Sequence, residues 1–511
     1  MVSRVLGYLR DAVIGYAFGG NKWYTDIFFL SFEIPNFCRR LLGEGALSSA
    51  FISVFTDYLT NREKKDAWEF ASNVLILLFL LVSTLVIIGI IFTPLIVYIL
   101  IPGYRHNQLA IATAIKLTRI MFPYLGFIAF AALFMGMLNS LRHFAAPAAT
   151  PIFLNLAIIT GALVISPLFG PKLEDRLTGL AIGVVIGGFL QAAIQVPVAI
   201  KKGMQYKLQF NFRHPGVIRV AKMLIPAVFG LAITQINLTV DKICASFIGE
   251  GAISALYYGN RLVELPESVF GIAIAIAVMP ILAAHAAKKE FQELKETLTY
   301  GLRLAMFLTI PAAVGLIILR IPILSLLFER GMFTSAATQG AAWALLFYAV
   351  GLFSFAAVKI VVPVYYALED VWVPVKVGFA AVALNTTLNL ILMWSMKQGG
   401  LALATSIAST LNWGLLLYIL RRRVGRLGLK QVVQSFIRII AASAVMGIVC
   451  YFFNWWYVAN ISISGFIAKF IYVTSVIGIS TIVFILAAWI FRVTELRDIW
   501  QIIRGKIFKT A

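Results

Sequence analysis

A chain of 511 residues with 61% hydrophobic and only 13% charged residues, and a mean hydropathy of +0.92, is excluded from the soluble globular class and reads as a polytopic membrane protein. Its net charge of +21 would ordinarily suggest nucleic acid, but the basic residues sit in short loops between apolar segments, where membrane orientation accounts for them. Nucleotide-driven work is excluded as well: there is no G-x-x-x-x-G-K-[ST] phosphate loop and no H-E-x-x-H, and His106, His143, His214 and His285 are scattered. Any work is then driven by a gradient or by the membrane potential.

Apolar runs predict about fourteen spans of bilayer-crossing length. In chain order they cover 1–18, 24–58, 70–100, 111–138, 145–168, 177–200 and 217–247, then 253–284, 300–328, 337–368, 371–394, 400–420, 432–457 and 463–490. The first is short for a span, and Arg10 and Asp11 interrupt what would have to be the apolar stretch of a secretory signal. Cys38, Cys244 and Cys450 lie inside apolar spans without a C-x-x-C pair and read as small buried hydrophobes.

Basic residues alternate between loops. One set carries Arg62, Lys64 and Lys65, then Lys201, Lys202, Lys207 and Arg213, then Arg421, Arg422, Arg423 and Arg426, and finally the tail from Arg492 to Lys509. The opposite loops hold little beyond Lys22, Arg105, Lys172, Arg176, Arg330 and Lys397. A bias of roughly three to one places both termini in the cytoplasm by the positive-inside rule.

Residues 50–57 with the charges that follow resemble 277–284 with theirs, an offset of about 227 residues, and at that spacing Gly103 matches Gly331 and Pro147 matches Pro374. The expected fold is therefore all-α, with two six-helix lobes in parallel repeat, 1–205 and 206–425, followed by a C-terminal helix pair with a basic tail, 426–511. Loops 201–219 and 421–430 are the expected boundaries. Parallel repeats favour a central cavity and alternating access.

Residues 26–51 read as one apolar helix that nevertheless contains charges. Asp26, Glu33 and Arg40 fall on one stripe with Glu44 a turn beyond, whereas Arg39 is rotated by about 100° and lacks a carboxylate at i±3 or i±4. An ionised side chain at membrane depth costs about 2.5 to 3.5 kcal/mol, so it marks a wet cavity or a partner. An arginine there suits an anionic ligand, because guanidinium stays charged and its fork matches phosphate oxygens. Arg4 and Asp11 share a face of the first span, with Arg10 beside them. In the eighth span Arg261, Glu264 and Glu267 recur every three residues around Pro266. A separate set, Asp241, Asn385, Asn389 and Thr405, offers oxygen ligands suited to Na⁺ or a proton. Lys242 beside Asp241 leaves a purely structural pair open.

Several motifs together resemble the bacterial lipid II flippases, the MurJ/MviN family of the multidrug/oligosaccharidyl-lipid/polysaccharide exporter superfamily. They are Ser3-Arg4-Val5-Leu6-Gly7, Arg10-Asp11, Thr25-Asp26-Ile27-Phe28-Phe29, Pro35-Asn36-Phe37-Cys38-Arg39-Arg40, Glu44-Gly45-Ala46, Ala50-Phe51, and the run from Tyr257 to Pro266. Ser53 and Asn260 depart from the family pattern. The resemblance implies a V-shaped fourteen-helix transporter of the bacterial inner membrane whose cavity takes the diphosphate and sugar-peptide head of lipid II, with a groove at the last two helices for the polyprenyl tail. It implies Arg4, Arg10, Arg39 and Arg261 as substrate-binding residues, with Asp11, Asp26, Glu44 and Glu264 as supporting acids. No cofactor is implied beyond Na⁺ or H⁺ coupling or the membrane potential; the implied partners are lipid II, membrane lipids and cell-wall synthesis proteins, with no nucleic acid. Three rivals stay open: a flippase for another lipid-linked oligosaccharide, an ion-coupled drug antiporter, which should present acids to a cationic substrate, and a non-transporting membrane scaffold. Flipping of lipid II in liposomes by the purified protein separates them.

The topology has a direct check. Cysteines introduced at Lys64 and Lys172 are expected to react with impermeant reagents from opposite faces of the membrane, and labelling from one face refutes the orientation.

Overall fold

Inside a bilayer a backbone can satisfy its own polar groups only in helices or a closed barrel, and among the described residues every regular element is helical. The computed structural model describes residues 2–42, 46–207, 210–460 and 465–507, with the side chains of 38–42, 46, 226–234, 429, 499 and 502–507 left aside. The chain opens with α1 (Val2–Phe18), α2 (Trp23–Leu42), α3 (Ala46–Asn61) and α4 (Lys64–Leu100). A 3₁₀ turn, Pro102–Tyr104, leads to α5 (Gln108–Met121), α6 (Pro123–Ser140) and α7 (Ala145–Thr160), which ends in a π turn, Gly161–Ile165, and a 3₁₀ turn, Ser166–Phe169. Then come α8 (Leu173–Ala193), α9 (Gln195–Lys201), α10 (Pro215–Ile248) and α11 (Ala252–Pro266), and a second π turn, Glu267–Gly271. The rest are α12 (Ile272–Ala287), α13 (Phe291–Phe328), α14 (Ser335–Val350), α15 (Leu352–Ala367), α16 (Trp372–Met396), α17 (Gln398–Val424), α18 (Leu429–Asn460), α19 (Phe466–Ile490) and α20 (Thr494–Ile507).

Local chemistry sets the helix ends. Thr25 donates its hydroxyl to the Gly19 carbonyl (2.6 Å), closing α1. Asn107 accepts from the Ala110 amide (3.0 Å) to start α5, and Pro123 opens α6, where a missing N–H costs nothing.

Ten described helices are long and apolar enough to cross a membrane, or eleven if α14 and α15, bent by 46°, make one span. Three expected spans are not among them: α1 has 17 residues; α2, with Asp26, Glu33, Arg39 and Arg40 in 20, and α3, with 16, divide the second; and α10 has the side chains of 226–234 left aside. Residues 26–51, expected as one helix, fall in α2 and α3, and 43–45 lie outside the described residues. The basic tail contains the amphipathic α20.

By packing, the chain forms two compact units, Met1–Ser254 with Arg330–Thr334, and Ala255–Glu329 with Ser335–Ala511. In the first, Phe51, Phe55 and Phe70 are fully buried and stack at 5.1 and 5.6 Å between α3 and α4. In the second, Leu298, Leu302, Ile360, Val361 and Val364 form one core, and Met306, Phe307, Ile439, Met446 and Phe484 a neighbouring one. At that unit's edge Glu495 of α20 is buried, accepting from Arg303 (2.5 Å) and Ser435 (2.7 Å). Burial works against its charge, but the Ser435 hydroxyl and the Arg303 guanidinium outweigh it and hold the carboxyl below its ordinary range.

Lipid supplies little hydrophobic drive between helices, so close backbone approach must hold them together. The seam of α7 with α8 is built this way. Gly179, Gly183 and Gly187 recur every four residues on α8. A Cβ on Gly183 would lie 2.9 Å from the Gly161 Cα and 2.8 Å from the Ala157 carbonyl oxygen, and one on Gly179 would lie 2.4 Å from the Ser166 amide. By contrast a Cβ on Gly478 in α19 meets nothing within 4 Å. Gly183→Leu is therefore expected to lower the stability of the purified protein by at least about 1 to 3 kcal/mol through overpacking, and Gly478→Leu to leave it unchanged. Thermal unfolding in detergent measures both, and equal midpoints would remove the seam from the account.

Candidate functional site

Asp26 is fully buried on α2 and accepts four hydrogen bonds: from the Tyr104 hydroxyl (2.6 Å), the Gly251 and Ser254 amides (2.7 Å each) and the Ser254 hydroxyl (2.5 Å). Gly251 and Ser254 bracket the start of α11, whose first amides have no partner within the helix. A carboxylate from another helix thus supplies the cap, and its negative charge suits a helix N-terminus. Burial, and then the Asp26 charge, pushes the Tyr104 phenol far above its ordinary range, so that it stays a donor. Sequence reasoning expected Asp26 as a supporting acid for the arginines and missed Tyr104 and Ser254.

Arg10 and Asp11 meet on α1. The Arg10 Nε and Nη2 donate to one Asp11 oxygen at 2.9 and 2.6 Å, and Asp11 is fully buried. From α7 the Asn155 side-chain oxygen accepts from Arg10 Nη1 (3.3 Å), while its amide nitrogen donates to the Ser3 carbonyl (3.2 Å). One asparagine therefore orients the guanidinium and fastens the start of α1. Its signal in the sequence was a lone amide in an apolar span. Arg4, expected on the same face as Asp11, is exposed.

In the second unit Arg261 and Asn260 both donate to Glu264, at 3.0 and 3.2 Å, along one turn of α11. Glu267, the next acid in the series, pairs with Lys359 of α15 at 3.1 Å. Pro266 ends the regular α geometry, and the π turn at Glu267–Gly271 follows directly.

Asp241 is buried in the first unit, where its neighbour Lys242 pairs with Glu33 of α2 at 2.5 Å. Asn385 and Asn389 are fully buried on α16 in the second unit, and Thr405 of α17 donates to the Leu401 carbonyl (3.0 Å). The Arg39, Arg40 and Glu44 side chains, central to the sequence reading, lie outside the described residues. The second unit also holds an apolar cavity of ≈ 630 Å³ with Met306, Phe353, Trp413, Leu417 and Phe436 on its walls and Arg421 at one edge.

Chemically, these are permanently charged guanidinium groups oriented inside apolar helices by adjacent acids and an amide.

The comparisons with known proteins agree on one lineage. The family described as "Lipid II flippase MurJ" matches residues 14–473. A "Probable lipid II flippase MurJ" of Vibrio cholerae is 38% identical over 423 residues, covering 81% of this chain and 80% of that protein. A "Lipid II flippase MurJ" of Burkholderia cenocepacia is 33% identical over 428 residues, 83% of this chain and 82% of that one. Among solved structures, "Lipid II flippase MurJ, inward closed conformation" superposes with TM-score 0.78 at 27% identity, covering 98% of both chains. An inward-facing MATE multidrug transporter of the MOP superfamily, 15% identical, covers 83% of this chain and 95% of its own with TM-score 0.69, a likeness of fold alone. With a match over most of its length and relatives above 30% identity, the chain belongs to the MurJ family of lipid II flippases, which are membrane transporters and not enzymes.

Proposed function

We propose that this chain carries lipid II from the cytoplasmic to the outer face of the bacterial inner membrane by alternating access. The observation that carries the reading is Arg10, a permanent charge bound and oriented inside an apolar helix by Asp11 and Asn155, in a chain that the family matches over residues 14–473. Arg4, Arg10, Arg39 and Arg261 bind the diphosphate, and Asp11, Asp26, Glu44 and Glu264 hold the arginines and their helices in position. Lipid II cannot cross unaided because its diphosphate and sugars would lose their water. A potential negative inside drives an anion outward by about 2.3 kcal/mol per charge per 100 mV. The apolar cavity beside α18, with Arg421 at its edge, suits part of the polyprenyl tail.

The finer architecture is fourteen helices in two parallel lobes, 1–205 and 206–425, with a terminal pair at 426–511 and both ends cytoplasmic. Two pairs of matched residues support it. Pro147 and Pro374 are each the third residue of their helices, α7 and α16. Gly103 and Gly331 each let a loop approach the C-terminal end of another helix: an added Cβ would lie 1.9 Å from the Ser246 carbonyl oxygen at the first and 2.6 Å from the Tyr16 carbonyl oxygen at the second. Those helices, α10 and α1, are the first of each lobe.

Asp241, Asn385, Asn389 and Thr405 form the proposed Na⁺ or proton site. Asp241, buried in the first unit, contributes the carboxylate of this set. Asp241→Ala is expected to change the Na⁺ or pH dependence of transport while leaving expression intact. Transport in proteoliposomes that ignores both ions, in wild type and variant alike, returns Asp241 to a structural role.

The main test is complementation of flippase-depleted cells together with lipid II flipping in liposomes. Arg39→Ala and Arg261→Ala are expected to abolish translocation at normal abundance, Arg10→Ala to lose translocation and also abundance by stranding the buried Asp11, and Arg39→Lys to lose most translocation, since ammonium keeps the charge but not the fork. Arg40→Ala is expected to act through abundance, by leaving carboxylates unpaired. Full complementation by Arg39→Ala at normal expression would overturn the anion-binding reading.

A further inference from the structure

The segment joining α9 to α10 is fastened to the first turns of α4. The Lys207 ammonium pairs with Glu69 (2.5 Å), its amide donates to the Ser72 hydroxyl (3.2 Å), and that hydroxyl donates to the Gln205 carbonyl (3.2 Å). The Asn73 side chain donates to the Asn211 carbonyl (2.7 Å) and accepts from the Asn211 amide (3.0 Å). His214 stacks on Phe70 (5.6 Å) and accepts from the Gly216 amide (3.2 Å) to cap α10. Burial, and then Arg62, holds its imidazole below the ordinary range, which suits an acceptor.

Bonded and outward positions alternate along this strap. Residues 205, 207 and 211 face α4 through their bonds, while Tyr206, Phe210 and Phe212 are 53%, 58% and 68% exposed. Three aromatic rings in one short run, with no acid between Lys201 and Arg213, are too apolar a display for open water. The level of the strap along α4 says what meets it. Large apolar side chains are exposed on α4 from Phe79 to Ile99, a rise of about 30 Å, which is the thickness of the hydrocarbon core. Asn73 lies about 9 Å before that stretch, at the outer side of the headgroup layer, within reach of an aromatic side chain.

We propose that this strap is a membrane-surface foot, seating Tyr206, Phe210 and Phe212 among the headgroups of the anionic cytoplasmic leaflet while Lys201, Lys202 and Arg213 bind lipid phosphates. Aromatic rings favour that layer, and basic residues close to the leaflet each gain about 1 kcal/mol from its negative surface. The foot is independent of the substrate: it needs only the cytoplasmic placement of this loop.

The test uses the full chain in lipid nanodiscs with its native cysteines changed to alanine. An environment-sensitive fluorophore is attached at F212C or, as an aqueous control, at K289C. In nanodiscs containing phosphatidylglycerol, the label at 212 is expected to be blue-shifted and quenched several-fold more than at 289 by a nitroxide near the top of the acyl chain. The double variant F210S/F212S, which keeps the Asn73–Asn211 bonds, is expected to lose most of the thermal stabilisation that phosphatidylglycerol confers over phosphatidylcholine. Equal quenching at 212 and 289 overturns the proposal, including the case in which 212 is shielded only in native membranes by another protein. Full retention of the phosphatidylglycerol effect by the double variant overturns it as well.

Discussion

A charged side chain surrounded by hydrocarbon must find its counter-charge or its hydrogen bonds within the protein, and much of this molecule is arranged around that requirement. Breaking such a pair on one side costs about 3 to 5 kcal/mol, because the remaining charge is stranded. Here the partners come from neighbouring residues or from packed helices: Asp11 and Asn155 for Arg10, Lys242 for Glu33, and Lys359 for Glu267. The bonds of Asn155, Lys242 and Lys359 join different helices and so constrain the rotation of one against another. Asp26 extends the logic to the backbone, where a carboxylate substitutes for the missing half of a helix end.

The apolar packing is shaped by the same demand. Side chains of modest length can reach one another only if the helices carrying them approach closely. The glycines along α8 permit such an approach to α7, and α7 is the helix that delivers Asn155 to Arg10. The placement of a guanidinium inside an apolar helix therefore depends on residues with no side chain at all.

Much of the fold was legible because hydropathy and charge report directly on lipid and water. The spans, the asymmetry of the loops and the placement of Arg10 and Arg261 in apolar helices follow from that. Partners were harder to read. Tyr104 and Ser254 are unremarkable in sequence, and they find Asp26 only because the chain folds back on itself across 78 and 228 residues. Glu33 pairs with Lys242 of α10, a partner on a distant helix that spacing along α2 does not reveal, while the Arg40 side chain expected beside it lies outside the described residues. The amphipathic α20 lay hidden in a stretch whose basic residues mark it only as a tail; what docks it is Glu495 buried against Arg303, 192 residues away. The spacing of Gly179, Gly183 and Gly187 was visible from the start and carries a packing meaning that hydropathy alone does not express.

The π turn at Glu267–Gly271 has a consequence of another kind. A π turn closes its hydrogen bond one residue later than an α turn, so it absorbs one residue that the regular helix would not. Arg261 and Glu264 stand before this turn, and the buried row Ile274, Val278 and Leu282 stands after it. Removing one residue within the turn would let the helix run on as regular α with α12 still facing its core, whereas removing one from the regular helix on either side would rotate that row by about 100°, away from its core. The turn is therefore the place in this stretch where the chain can change its length by one residue and keep both faces in register, which a deletion one turn away cannot do.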